Sequence, residues 1–311
     1  MDQAGLVLGD FTLRHRTVSV DHLKELQADI DRLENEGKIN RNKVFRSYIS
    51  NKQFRIPQDF SDAKSLVVIA VRMKPMLVNF LFGGRKHEIV LPSAYYDDGL
   101  TEEMLHDYVM KEVVNGPGHR IERAKVHLKL LAVRSGLGRY GRNNLCYVEG
   151  MGSMLALYAF FTDYQCEDNW AEMDMMDCCM NCGICMNSCP NRCISEGNFV
   201  IDVSRCLSLF NEIKGEFPEW IRPDAHNALM GCFRCQSCCP ANREAIKNSG
   251  RLEDVTEEET RRILDGTPDK ELLNSLSIKL KGFYPTQSRG DFPVLTRNLR
   301  ALLRPEVNPP G

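Results

Sequence analysis

The feature that most constrains the fold of this chain is a cysteine run between Cys179 and Pro190, spaced C-x2-C-x2-C-x3-C-P. Its first three thiolates lie within seven residues and can ligate three corners of an iron–sulfur cube. A residue before proline is pushed out of the helical region, so Cys189 turns away from the other three. In proteins with two clusters, the fourth cysteine of such a run ligates the other cluster. The run therefore predicts a second cluster.

A second cysteine run supplies the remaining ligands. It begins at Cys232 with the spacing C-x2-C-x3-C-P, and Cys206 lies alone between the two runs. The eight thiolates suffice for two [4Fe–4S] clusters held entirely by cysteine. We assign four ligands to the first cluster: Cys179, Cys182, Cys185 and Cys239. We assign the other four to the second cluster: Cys189, Cys206, Cys232 and Cys235.

Five further cysteines need an interpretation. Cys178 and Cys238 are direct neighbours of assigned ligands, and the spacing of each run favours the assigned residue over its neighbour. Free cysteine is among the most buried residue types. We therefore expect the remaining three to be small apolar core residues: Cys146, Cys166 and Cys193.

Zinc and disulfide bonds are the alternatives to iron–sulfur clusters. Zinc usually takes two C-x2-C pairs or cysteine–histidine mixtures, and a run of three cysteines suits a tetrahedral ion poorly. The opening MDQAGLVLGD lacks a secretory pattern, and no apolar stretch of 18 residues could span a membrane. We therefore expect a reducing, cytoplasmic setting without membrane contact, where paired cysteines more often bind metal than oxidise.

Composition adds two constraints. The net charge of −2 gives no indication of wholesale binding to nucleic acid or membrane. The 311 residues exceed one typical domain. Because residues 178–239 combine crowded cysteines with few large apolar side chains, we expect a separate module that its clusters stabilise.

Apolar periodicity and turn signals predict a mixed helix and strand core. Helical patterns occupy four segments: 21–36, 101–114, 120–134 and 251–273. A buried strand is predicted at 65–71, and a hairpin lies within 76–94. Residues 145–150 and 153–161 are predicted to form one further hairpin. The basic residues between 279 and 304 are predicted to form a solvated helical face rather than a nucleic-acid contact.

Three stretches resemble the epoxyqueuosine reductase family, which shares features with corrinoid-dependent reductive dehalogenases. LAVRSGLGRYGRNNLCYVEGMGS (131–153) is similar to the family's R-x-G-L-G-W-x-G-K-N segment. The cysteine module is similar too, including DVSRCLSLFNE (202–212) and GCFRCQSCCPAN (231–242). A weaker match is FRIPQDFSDAKSLVVIAV (54–71).

The resemblance implies an α+β chain in three parts. A nitroreductase-like α/β core (1–170) would hold base-off cobalamin and substrate, a ferredoxin-like domain (171–250) would hold both clusters, and a short helical tail (251–311) would follow. Electrons from a ferredoxin or flavodoxin type donor would pass through the clusters to cobalamin, which reduces a small molecule or modified nucleoside. tRNA is a further candidate partner. The alternative is a cobalamin-free electron-transfer or activator protein.

The resemblance also implies site residues. Eight would contact the corrin: Arg134, Gly136, Leu137, Gly138, Tyr140, Gly141, Asn143 and Asn144. The glycines would let backbone approach the macrocycle, although a tightly packed helix-ending turn explains them equally. Four are candidate catalytic residues: Glu122, Lys129, Tyr95 and Asp97. On one helix, Glu122 and Lys129 would share a face, with Glu122 as general acid; the alternative is an exposed ion pair.

Overall fold

The computed structural model describes residues 6–114, 116–197 and 199–303. Within these ranges the chain forms two compact units built from interleaved segments. The first unit comprises residues up to 73, 100–187 and 193–204, and the second comprises 74–99, 188–192 and the residues from 205 onward. The predicted boundaries after residues 170 and 250 fall inside these units. The end of the predicted helical tail, 304–311, lies outside the described residues.

The strands and helices are numbered along the chain. The strands are β1 Leu6–Leu8, β2 Phe11–Ser19, β3 Ser65–Arg72, β4 Met76–Phe82, β5 Arg85–Leu91, β6 Ile121–Arg123, β7 Arg139–Tyr140, β8 Cys146–Tyr147, β9 Leu155–Thr162 and β10 Gly250–Arg251. The helices are α1 Leu23–Asn35, α2 Lys43–Ser50, α3 Glu102–Glu112, α4 Leu128–Arg134, α5 Ile184–Ser188, α6 Leu207–Glu212, α7 Arg234–Ser237, α8 Arg243–Lys247, α9 Glu257–Asp265, α10 Lys270–Lys279 and α11 Phe292–Leu302.

The first unit is organised around one antiparallel sheet in the order β1-β2-β3-β9-β6. Its central strand β3 is apolar from Leu66 to Val71 because both of its faces are covered there. Leu66, Val68 and Ala70 enter one core with residues of α1 and α4. The alternate residues of β3 enter a second core with residues of α3. The predictions of a buried strand here and of flanking helices are confirmed.

Two predictions in the first unit are wrong. The helix predicted over 120–134 is a strand followed by a shorter helix, because β6 pairs with β9 and the guanidinium of Arg123 lies 4.7 Å from the ring centroid of Tyr158. The hairpin predicted from residues 145–161 does not form as expected. β8 pairs with β7, while β9 pairs with β3 and β6. Tertiary strand pairing overrides the local pattern in both places.

The second unit combines a small sheet with helices. β4 and β5 form the predicted antiparallel hairpin, and β10 adds a parallel strand beside β4. The helical pattern after residue 251 becomes two helices, since a capping box of Thr256 and Glu259 begins α9 and Gly266, with a φ of 75°, ends it. The apolar faces of α9, α10 and α11 pack with β4 and β5 into one core.

The basic C-terminal segment is less solvated than predicted. The ammonium of Lys279 lies 2.8 Å from the Glu259 carboxylate, and both side chains are nearly buried. Arg297 on α11 donates to the carbonyls of Phe210 and Ile213 at 2.8 and 2.9 Å. These two cations therefore act inside the fold, whereas Arg304 lies outside the described residues. Within the described ranges, no helix combines the length and apolarity needed to cross a bilayer.

Asn298 on α11 connects α6 with the loop before Cys232 in the second unit. It is 1% exposed, and its amide donates to the carbonyls of Asn211 and Leu229 at 2.9 and 3.0 Å. Both segments adjoin assigned cluster ligands, since α6 follows Cys206 and the loop of Leu229 precedes Cys232. Helix α11 therefore holds α6 and this loop beside the cluster cysteines.

We expect Asn298→Ala to lower the free energy of unfolding by about 2 kcal/mol, because it leaves two buried carbonyls without their donor. Urea denaturation followed by circular dichroism measures the change. Asn274→Ala is the matched control, since Asn274 is exposed on α10 and its replacement alters only helix propensity. Equal shifts in the two variants would contradict this role of Asn298.

Candidate functional site

The cysteines assigned to the second cluster all lie in the second unit. They come from three segments, with Cys189 before Pro190, Cys206 before α6, and Cys232 and Cys235 at α7. Burial raises the pKa of the Cys232 thiol, and the charges of Cys206 and Cys189 raise it further. Thiols that interact in this way are neighbours. The fold thus gathers thiols that are far apart in sequence, and binding to a positively charged metal centre would stabilise them together as thiolates.

Asn227 positions the Cys232 thiol. Its side-chain nitrogen lies 3.3 Å from the Cys232 sulfur, and its side-chain oxygen accepts from the Phe233 backbone at 2.7 Å. An apolar group of Leu207, Ile221 and Ala225 packs beside Cys232. Hydrogen bonds to sulfur and exclusion of water both set the reduction potential of a cluster. Sequence reasoning missed Asn227, for which the sequence offers no motif.

Tyr95 lies against the loop that precedes Cys232. Its hydroxyl donates to the Glu212 carboxylate at 2.5 Å. Burial raises the pKa of Tyr95 well above its usual value, and burial also raises the pKa of Glu212. A side chain at Gly231, whose φ is 65°, would overlap the Tyr95 ring. Asp97 instead forms a turn by accepting from the Gly99 backbone at 2.8 Å. Substrate contact by Tyr95 and Asp97 stays a prediction.

The first three cysteines of the other assigned cluster lie in the first unit. Cys179 ends a short turn, Cys182 follows it, and Cys185 lies on α5. Arg142, which is 6% exposed, donates to the carbonyl of Cys179 and to that of Met180. A buried guanidinium beside a ligand loop would favour the more negative, reduced cluster. Cys239 lies in the second unit, and its assignment as fourth ligand stays a prediction.

The structure also shows where two other cysteines lie and whether a single metal ion could bind. Among the described residues, no three side chains of His, Cys, Asp or Glu are close enough to hold a single metal ion. Cys146 and Cys193 are buried as predicted, and burial raises the pKa of Cys146 to about 12. Those two thiols are therefore small apolar core groups.

A cavity of about 350 Å³ lies in the first unit, beside α1, α2 and α4. Of the predicted site residues, Lys129, Tyr140 and Asn144 line it. The Tyr140 ring stacks on Phe199 at a centroid distance of 4.1 Å. The Lys129 ammonium donates to the carbonyl and side-chain oxygens of Asn144, both at 2.8 Å. The structure thus brings a cation and two aromatic rings to one cavity.

His127 is a cavity residue that sequence reasoning missed. Burial lowers its pKa to about 4, and the charges of Lys52 and Lys129 contribute, so the imidazole is neutral near pH 7. Its buried Nε2 has no hydrogen-bond partner among the described residues. The described lining contains no carboxylate but three lysines: Lys38, Lys52 and Lys129. The cavity therefore suits a neutral or anionic ligand with an apolar ring. The sequence offers one signal for His127, namely its position immediately before α4.

The predicted glycine contacts have another explanation. A side chain at Gly138 would come within 2.6 Å of the Tyr147 carbonyl oxygen and 2.7 Å of the Cys146 sulfur. One at Gly141 would overlap the Tyr147 ring. The chain itself thus requires these glycines, as in the tightly packed turn considered above. Gly136, with a φ of 69°, follows the end of α4.

Three other residues predicted to contact the corrin instead pack against or bind groups of the protein itself. Arg134 pairs with Asp29 at 3.1 Å and lies over the Trp170 ring at 4.5 Å. Leu137 is 7% exposed, and the Asn143 amide donates to the Tyr147 hydroxyl at 2.9 Å. The stretch 134–144 is therefore a packed wall that presents Tyr140 and Asn144 to the cavity. Corrin contact by the other six stays a prediction.

Glu122 and Lys129 do not share a helix face. Glu122 is on the edge strand β6, and Lys129 is in the first turn of α4. Glu122 is half-buried, and β6 pairs with β9 at this position. The geometric premise of the predicted pair is wrong because the two residues belong to different elements. The role of Glu122 as general acid stays a prediction.

Comparison with known proteins agrees with this site. Residues 178–242 match the family described as the 4Fe-4S double cluster binding domain. The prediction of two [4Fe–4S] clusters is thereby confirmed. Epoxyqueuosine reductase from Aliivibrio fischeri is 34% identical over 139 residues, covering 44% of this chain and 36% of the relative. That from Cellulophaga algicola is 25% identical over 202 residues, covering 61% of this chain and 62% of the relative.

The fold agrees as well. The crystal structure of an epoxyqueuosine reductase with an epoxyqueuosine-modified tRNA stem loop superposes with a TM-score of 0.64 at 17% identity. The match covers 93% of this chain and 76% of that one. The predicted resemblance and the mixed helix and strand fold are confirmed. The chain spans less than two thirds of the length of the curated relatives it matches.

We expect the stability of the protein to fall less steeply with acidity when His127 is replaced by Gln. The pKa of His127 is about 4 in the folded protein against an ordinary value of 6.5. Between these values the unfolded chain binds a proton that the folded protein does not, so the wild type loses stability as the pH falls through this window. Urea denaturation at about pH 7 and about pH 5 compares wild type with His127→Gln. Parallel losses in both would refute a neutral buried imidazole.

Proposed function

We propose that this protein is an iron–sulfur reductase that passes electrons through two [4Fe–4S] clusters to a bound corrinoid, which reduces a small molecule or a modified nucleoside. The observation that carries the proposal is the gathering of Cys189, Cys206 and Cys232 from separate segments within the matched double-cluster domain. Relatives named epoxyqueuosine reductase support the reaction class. We further propose a cytoplasmic setting and an external one-electron donor protein.

The cavity supports a ligand with a ring and an anionic group. Its volume of about 350 Å³ is near the lower end of ordinary ligand pockets. This size suits a nucleoside-sized group and is too small to enclose a whole corrinoid. Lysines attract a phosphate or carboxylate, whereas the Tyr140 and Phe199 side of the cavity offers apolar surface to a ring. A nucleoside of a modified tRNA is one substrate of this class, as the tRNA-bound relative illustrates.

Residues around the cavity have definable roles in this proposal. When bound, cobalamin supplies a strongly reducing and nucleophilic cobalt centre. Tyr140 and Asn144 would hold the part of the corrinoid or substrate that enters the cavity. Asn144 orients Lys129, whose charge would fix an anionic group. Neutral His127 would accept or donate one hydrogen bond there. Proton donation by Glu122, and substrate contact by Tyr95 and Asp97, remain proposals from the resemblance.

One observation favours a second candidate function. Because Gly138 and Gly141 close against the protein's own Tyr147, they leave no glycine cradle for a macrocycle. A cobalamin-free electron-transfer or activator protein would need no such cradle. It would use both clusters to reduce the metal centre of a partner.

Titration with cobalamin distinguishes the two candidates. If the protein is a corrinoid reductase, we expect the anaerobically reconstituted chain to bind cobalamin with a spectral change to the base-off form. Lys129→Ala should weaken that binding or substrate turnover, while Lys111→Ala, which removes an exposed lysine on α3, should not. Full cluster content with no spectral change would select the electron-transfer protein.

The ligand assignment is tested by iron content. Wild-type protein with two four-iron clusters should contain about eight iron atoms per chain. We expect Cys206→Ser to retain about half of that iron, because it removes one ligand of the second cluster. Cys146→Ser is the control, since this buried thiol is not a ligand and its replacement should leave iron content unchanged. Equal iron in both variants would contradict the assignment.

A further inference from the structure

The surface around the first three cluster cysteines is apolar and exposed. Met180 is 66% exposed and Ile184 is 43% exposed, although both are large apolar residues. Beside them lies an open cavity of about 340 Å³, whose lining includes Cys182, Met175 and Met186. We call this region, formed by Met175, Met180, Ile184 and Met186, the methionine surface. One cluster ligand therefore reaches a solvent-accessible concavity.

This exposure differs from the setting of the second cluster. Single exposed apolar residues need no explanation, but here they surround cysteines of one metal site. Methionine side chains are flexible and polarisable, and they recur at surfaces that bind other proteins. By contrast, Cys232 is packed against the apolar group around Leu207 and Ile221. A protein donor therefore finds a cluster ligand accessible at the methionine surface.

Three exposed carboxylates lie on or beside the methionine surface. Asp174, Asp177 and Glu196 are exposed, and Glu196 lines the same cavity as Met180. Arg139 pairs with Asp177 at 2.9 Å. Arg142 lines the same cavity, but it is 6% exposed and its guanidinium donates to the carbonyls of Cys179 and Met180. Among the described residues around this surface, the exposed and unpaired charges are therefore those of Asp174 and Glu196. An apolar centre with an acidic rim complements a partner with an apolar centre and a basic rim.

We propose that the methionine surface is the docking site of a one-electron donor protein whose contact face carries a Lys and Arg rim around an apolar centre. This rests on the proposed function, since it requires a cluster at Cys179, Cys182 and Cys185. In the transfer, one electron leaves the donor's reduced centre and enters the oxidised cluster, and no bond forms or breaks. The acidic rim disfavours a donor whose contact face is itself acidic, because like charges repel across an interface.

Electron exchange with two protein probes of opposite charge tests the docking site. The full chain with reconstituted clusters is reduced anaerobically and mixed by stopped flow with oxidised cytochrome c, a basic protein, or with oxidised flavodoxin, an acidic one. We expect the cytochrome c rate to fall about tenfold from low to high salt, because salt screens opposite charges. The flavodoxin rate should rise with salt, since screening removes repulsion.

Variants locate the effect on the surface. The double variant Asp174→Lys with Glu196→Lys should lower the cytochrome c rate at low salt about tenfold and raise the flavodoxin rate. Met180→Gln should slow exchange with cytochrome c at all salt concentrations, because it removes apolar contact. Asp107→Lys is the control, since Asp107 is an exposed carboxylate on α3, and it should leave both rates unchanged.

The outcomes separate the docking site from the clusters. Rates without salt dependence, a faster low-salt reaction with flavodoxin, or equal effects of the Asp107 and Asp174–Glu196 variants would overturn the proposal. Iron content and reduction by the small molecule methyl viologen are measured on the same samples. A wild-type protein without the expected iron, or without exchange with methyl viologen, would contradict the two-cluster function. If both are retained while the protein probes behave otherwise than expected, only the docking site is rejected.

Discussion

The central physical constraint is that cysteine thiols from separate segments are held close together although burial and mutual charge oppose their ionisation. The pKa of Cys232 is raised for both reasons. A metal cluster reverses that cost, because thiolate binding to iron replaces the lost hydration. The segments that carry these cysteines have few apolar side chains, so contacts with other parts of the fold must hold them in place. In the second unit, Asn298 and Arg297 of α11 fix those segments through backbone carbonyls.

The two units supply different chemical environments. The first has a fully covered sheet, and its cavity combines apolar walls with lysines and a neutral imidazole. The second packs Cys232 against apolar side chains and provides a hydrogen bond from Asn227 to its sulfur. The first unit thus presents cationic and neutral polar groups at its cavity, whereas in the second unit a hydrogen bond and apolar packing surround Cys232.

The cysteines of the first unit meet different conditions. Buried Arg142 is directed at the backbone of Cys179, while Met180 and Ile184 face solvent. Hydrogen bonds from Arg142 thus hold one side of the loop that carries Cys179 and Cys182, and its other side is exposed to solvent. An open side exposes a cluster to water, which burial elsewhere prevents, so its exposure is consistent with exchange of electrons at the surface.

The sequence by itself determined β3, the β4–β5 hairpin and the position of α3, because apolar runs and helix caps are local signals, and its cysteine spacing predicted the cluster ligands. Only the tertiary structure decided what residues 120–147 do. There β6 pairs with the edge of β9, so Glu122 is in a strand and not in the helix of Lys129. Tyr147 packs against Gly138 and Gly141. Asn227, Asn298 and His127 matter through partners far away in sequence or through burial. Such contacts depend on how elements pack, which no local pattern encodes.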